Sequence, residues 1–344
     1  MKKYIIIALA ALCAAAACQK NTQTVDPDEN LPKGTLVPVK FASNLVTVST
    51  KALGGIDAWN ANVKLNIYGV AHEAGALKTN DILIDNVQAD APGADGAISV
   101  MNGSEPFYYD LEKTYDFFGY YADDAATAAP SVSADAITVP VTIDGTQDIM
   151  LAKADRTADA GTYPANKCYS AWSARKGVVP SLNFQHQLAR FKFFITCGTT
   201  DPTFNGKMKF KSLSISSPAS GTLTVAGDTP GLVADATAAA VELPLVLAAP
   251  LDIVTTLNKE QIGESLMVFP GQTEYEIKYA LSQEGKSTDV EGSATLALEN
   301  NVAFEAGKQY SVNITVYSLE SIKINVGLTA WDIVGEEISI GADE

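Results

Sequence analysis

The chain has 344 residues and a formal net charge of −16 at pH 7, with only two histidines and four cysteines. Such an acidic balance excludes nucleic acid as a partner, because phosphates need a basic footprint, and it chiefly serves solubility. Ala, Val, Thr, Gly and Ser dominate and helical periodicity is scarce, so the chain is expected to be all-β, in two tandem β-sandwich domains.

Lys2 and Lys3 precede the apolar run Tyr4 to Leu12, and Ala15-Ala16-Ala17-Cys18 follows it. The run is too short to span a bilayer but has the length of a signal h-region. Residues 1–17 therefore read as a lipoprotein signal peptide, cut before Cys18, whose thiol would carry the lipid. Losing Lys2 and Lys3 leaves 22 basic against 40 acidic residues, a mature charge of −18. Residues 18–35 are polar, interrupted by Pro27 and Pro32, and form a flexible tether with a reach of about 20 Å.

Residues 36–51 open the N-terminal domain, taken as 36–176. Val37, Val39 and Phe41 alternate with Pro38, Lys40 and Ala42, and Val46 and Val48 continue the apolar series in the other phase. A bulge or kink near Asn44 would account for the change of phase. The stretch ends on Lys51-Ala52, just before Gly54-Gly55. Val63, Leu65 and Ile67 mark the next strand, with Trp59 as an anchor upstream, and residues 81–90 read as a turn-rich connection around Ile82-Leu83-Ile84. Tyr115, Phe117 and Gly119 alternate with Asp116, Phe118 and Tyr120, a strand with aromatic residues on both faces. These are core packing or a platform for sugar rings. Pro140 suggests that the strand Ile137 to Asp144 lies at an edge.

The C-terminal domain is taken as 177–344. Leu182, Phe184, His186 and Leu188 share one face, Phe191, Phe193 and Ile195 have the opposite parity, and a phase change near Ala189 follows. His186 is either a catalytic base or metal ligand, or a hydrogen-bonded core residue; no ligand-spaced cluster accompanies it. Cys168 and Cys197 could form one disulfide, contributing roughly 3 to 4 kcal/mol, or stay unpaired. Ala236 to Leu247 reads as a strand pair or a short helix. Tyr310, Val312, Ile314 and Val316 alternate, as do Ile322, Ile324 and Val326; Trp331, Ile333, Ile338 and Ile340 follow toward the end. No nucleophile elbow, HExxH, phosphate loop or dinucleotide fingerprint occurs, so no enzyme, metal or cofactor is expected.

The leader, the early strand closing on Lys51-Ala52, QDIMLAKAD, FQHQLARF, FEAGKQYSVNITV and the late AWD together resemble the fimbrillin family of Bacteroidales, lipoprotein precursors of pilus subunits. The resemblance implies transthyretin-like sandwiches and a structural subunit of a surface fimbria, anchored in the outer membrane by its lipid and serving adhesion. It further implies that a protease cuts after a basic residue, that the first strand (Val37, Val39, Phe41, Val46, Val48) leaves, and that a neighbouring pilus subunit fills the groove. Lys51-Ala52 is the matching cut, although the family's cut often follows Arg and the first arginine here is Arg156; Lys40 interrupts the apolar series. Ile322, Ile324 and Val326, or Ile333, Ile338 and Ile340, are the candidate donor strand. A permanent first strand, or a lipoprotein that binds surface glycans, is the alternative.

Overall fold

The computed structural model describes residues 32, 34–43, 63–73, 76–92, 96–202, 205–318 and 322–329. Cys18, Val46, Val48, Lys51, Ala52, Trp59, Trp331, Ile333, Ile338 and Ile340 lie outside these, as does the expected bulge near Asn44. Met1–Leu36 is one unit, in which the Thr35 hydroxyl donates to the Pro32 carbonyl at 2.9 Å. The described residues from Val37 onward form the other.

That second unit is built almost wholly of β-sheet, with a few short helices. Its organising layer is a five-stranded sheet in which Tyr115–Tyr121 lies between Lys64–Glu73 and Met150–Lys153, with Ala76–Asp90 and Gln185–His186 at the edges. Period-2 alternation sends successive side chains to opposite faces, and here both faces are covered. Leu65, Ile67, Tyr115, Phe117, Met150 and Ala152 enter a smaller core with Val37, Val39, Phe41, Tyr169, Leu182 and Phe184. Tyr68, Val70, Phe118 and Tyr120 enter a larger core that continues to Val316. The aromatic residues of Tyr115–Tyr121 are thus buried on both faces, as core packing requires, and offer no sugar platform.

Close approach explains two glycines of this sheet. A Cβ on Gly69 would stand 2.8 Å from Phe117 Cε1, and one on Gly119 would stand 2.8 Å from Phe184 Cζ. Each glycine lets an aromatic ring lie against the backbone.

Beyond the shared sheet, the larger core is lined by Ala189–Cys197, Glu260–Val268, Gln309–Val316 and Ile322–Thr329 in one four-stranded sheet. Met208–Ser217, Glu274–Gln283 and their neighbours line it from another. A further sheet pairs Ile137–Thr142 with Ser220–Ala226.

Several expectations need correction. Position 176 does not separate the sheets: Met150–Lys153 pairs with Gln185–His186, and Ile137–Thr142 with Ser220–Ala226. Residues 81–90 are not a turn-rich link but part of the fifteen-residue strand Ala76–Asp90. Repeated register shifts against Lys64–Glu73 obscure its alternation, and Asn86 adopts a left-handed φ of 47° at one of them, a conformation asparagine tolerates. Ile137–Thr142 is an interior strand, not an edge. On its second side Thr127 N–H donates to the Pro140 carbonyl at 3.0 Å, so that neighbour needs only the acceptor a proline retains. The phase change near Ala189 is a change of sheet: Gln185–His186 belongs to the shared sheet and Ala189–Cys197 to the four-stranded one. Phe184 and Leu188 accordingly enter different cores. Within Ala236 to Leu247 only Val241–Pro244 is regular, as a strand.

Candidate functional site

Residues 37–43 run through the smaller core as an interior strand. On one side Val39 N–H donates to the Phe107 carbonyl at 2.8 Å, Tyr109 N–H to the Val37 carbonyl at 3.0 Å, and Ser43 N–H to the Gly96 carbonyl at 2.8 Å. On the other, Phe41–Ser43 pairs in parallel with Ser181–Leu182, and Ala42 N–H donates to the Pro180 carbonyl at 3.0 Å. The odd positions alone go inward: Val37, Val39 and Phe41 are buried while Lys40 is exposed. The Phe41 ring meets Phe117 edge-on, 5.0 Å between centroids. At roughly 1.5 to 3 kcal/mol per buried side chain these three contribute up to about 5 to 9 kcal/mol.

Sequence reasoning found this strand but missed its partners. Phe107–Tyr109 lacks alternation, and the alternation that includes Leu182 does not name the strand beside it; only the tertiary contacts bring them together. Tyr109 lines the slot, its ring 6.1 Å from Phe117 and its buried hydroxyl without a hydrogen-bond partner among the described residues. Burial pushes that hydroxyl's pKa up.

Beside the slot Arg156 ties three segments together. Its Nε donates to Asp116 Oδ1 at 2.8 Å, Nη1 to the Cys168 carbonyl at 2.7 Å, and Nη2 to the Tyr115 carbonyl. His72 Nδ1 approaches Asp116 Oδ2 at 2.7 Å. Burial pushes the Asp116 carboxyl up, but the Arg156 guanidinium and His72 outweigh it and hold the group below the usual carboxylate value. The first arginine of the chain is therefore held within folded structure. Lys40 stands between Val39 and Ala42, both hydrogen-bonded to neighbouring segments.

The first candidate donor, Ile322–Thr329, pairs antiparallel with Gln309–Val316 over all eight residues and forms the end of its sheet. Ile322, Ile324 and Val326 are partly buried against the larger core. The second candidate, Ile333 to Ile340, lies beyond the described residues.

The remaining sequence candidates are structural. His186 is buried, its Nδ1 2.9 Å from Asp148 Oδ2. Cys168 and Cys197 are both free thiols, in different cores, and burial raises the Cys168 pKa. Among the described residues no group of His, Cys, Asp and Glu is arranged to hold a metal ion.

The fimbrillin-like family model matches residues 50–331. Among solved structures, a fimbrial protein from Bacteroides vulgatus ATCC 8482 aligns at a TM-score of 0.56 and 12% identity, covering 86% of this chain and 99% of that one. Two candidate cell adhesion proteins align similarly. The one from Bacteroides ovatus ATCC 8483 has a TM-score of 0.52 at 19% identity, and the one from Bacteroides uniformis ATCC 8492 has 0.51 at 16%; each alignment covers 88% of this chain and 100% of the other. At such identities the likeness speaks to fold. No curated protein matches the chain. With a family model spanning most of its length, this chain belongs to the fimbrillin-like family.

Proposed function

We propose that this chain is a structural subunit of a cell-surface fimbria, exported as a lipoprotein acylated on Cys18, trimmed after Lys51, and joined to the next subunit by a strand that refills the vacated slot. Its family makes it a structural protein rather than an enzyme. One observation carries the assembly step. Phe41–Ser43 is bonded along both edges and residues 37–39 along one, and a cut after Lys51 would separate this stretch from the sheets that follow it, so that it could leave. Departure would expose two strand edges and an apolar floor, an aggregation hazard until another strand is added. The family match begins at residue 50, beside the proposed cut.

Ile322–Thr329 is bound along its whole length within its own subunit, which favours Ile333 to Ile340 as the donor. Other pilus subunits and a surface protease are then the partners, with the outer membrane holding the precursor through its lipid.

Treating purified precursor with a Lys-specific protease, followed by mass spectrometry and electron microscopy, tests the reading. A discrete cut after Lys51 followed by polymerisation is expected. Resistance at Lys51, or a cut product that stays monomeric with its C-terminal segment intact, rules strand exchange out and leaves 37–43 as a permanent first strand. Cys18→Ala should separately abolish incorporation of labelled palmitate.

A further inference from the structure

No Asp or Glu occurs between Asp159 and Asp201, in a chain that carries 40 acidic residues. The exposed part of this acid-free stretch is organised around the short helix Ala171–Arg175. A reciprocal capping box between Ser170 and Ser173 fixes its start, and Ala171, Trp172 and Ser173 are buried beneath it. Trp172 is only 7% exposed, so its ring is a fixed platform. Tyr163, 37% exposed, stands edge-on to it with centroids 5.8 Å apart.

Two ammonium groups converge on that ring. Lys176 Nζ lies 3.9 Å from the Trp172 centroid and 5.4 Å from that of Tyr163; Lys167 Nζ lies 4.9 Å from the Trp172 centroid. Neither lysine has a carboxylate partner among the described residues. Elsewhere Lys64, Lys78, Lys113, Lys209, Lys211 and Lys278 each pair with an Asp or Glu, and Lys153 and Lys259 lie singly over a ring. A ring quadrupole attracts a cation without neutralising it. Two like charges held on one indole are thus an arrangement short of an anion.

We infer that Lys167 and Lys176, set around Trp172 and Tyr163, form a binding site for a polysaccharide bearing carboxylate or sulfate groups. The anion supplies the missing counter-charge through charge-assisted hydrogen bonds, and the exposed Tyr163 ring offers an apolar face to a sugar. A broad anionic surface fits poorly, because a protein of net charge −16 is repelled by it everywhere outside this patch. A slender chain with spaced charges reaches the patch alone. This site is independent of how subunits join.

The test measures binding of the purified full-length protein to heparin, polygalacturonate and neutral dextran, and to vesicles containing anionic lipid. Wild type is expected to bind heparin or polygalacturonate and not dextran; which of the two it prefers separates sulfate from carboxylate. The double variant Lys167→Gln/Lys176→Gln, which keeps the platform, should weaken that binding about tenfold or more. Lys209→Gln/Lys211→Gln, removing two paired lysines elsewhere, should leave it unchanged, and unaltered far-UV spectra show that both variants fold. Binding of neither acidic polysaccharide, equal affinity for dextran, equal affinity of the Lys167/Lys176 variant, or binding to vesicles alone overturns the assignment.

Discussion

The two cores share one sheet but close in different ways. Among the described residues, the larger one draws its walls from strands between Tyr68 and Val326 and takes none from before Tyr68. The smaller one includes Val37, Val39 and Phe41, among the described residues the only ones it takes from before Val63. Residues 37–43 are held through the short strand Phe41–Ser43 and a few further hydrogen bonds, whereas Ala189–Cys197 is bonded on both sides within the larger core's four-stranded sheet. Under the proposed assembly, the smaller core is where a subunit would open while the larger core keeps the rest folded.

The largest test of this contrast is removal of residues 37–43, which should cost up to about 5 to 9 kcal/mol of burial. Hydrogen exchange should then show lost protection at Tyr109 and its neighbours, while the amides of Ala189–Cys197 stay protected. Equal loss in both regions would mean that the cores unfold as one. Single substitutions sharpen the comparison. Phe41→Ala and Phe191→Ala should each cost about 3 to 5 kcal/mol by denaturant melting, but only Phe41→Ala should raise dye binding under native conditions.

Gly119→Val addresses the sheet between the cores. Its side chain would drive into Phe184, costing about 1 to 3 kcal/mol, and should reduce protection first on the smaller-core side. His186→Ala, which strips Asp148 of a buried partner, should cost about 1 to 3 kcal/mol with no loss of a specific activity. The smallest effect is electrostatic. Asp116 has a folded pKa below its unfolded value, so its contribution is fully present above about pH 4 and is lost as pH falls through the folded value. The stability gap between wild type and Asp116→Asn should accordingly be constant at neutral pH and close only below about pH 4. A gap that closes near neutrality would overturn this account.

Much was legible in the chain itself. The odd positions of residues 37–41, the two aromatic faces of Tyr115–Tyr121 and the run Gln309–Val316 declare themselves, because a half-buried strand writes its burial into a period of two. The core role of His186 was likewise readable from the apolar residues around it. Alternation fixes which side chains turn inward but not which core they enter. Phe184 and Leu188 have the same parity, and only the passage of the chain from one sheet to another sends them apart. The slot around residues 37–43 is likewise a tertiary product: Phe107–Tyr109 carries no periodic signal, and the alternation through Leu182 does not say which strand it pairs with, since pairing is set by long-range backbone hydrogen bonds rather than by a segment's own side chains. The sequence by itself thus determined an all-β chain with a buried first strand, and tertiary pairing decided that this strand is an interior one.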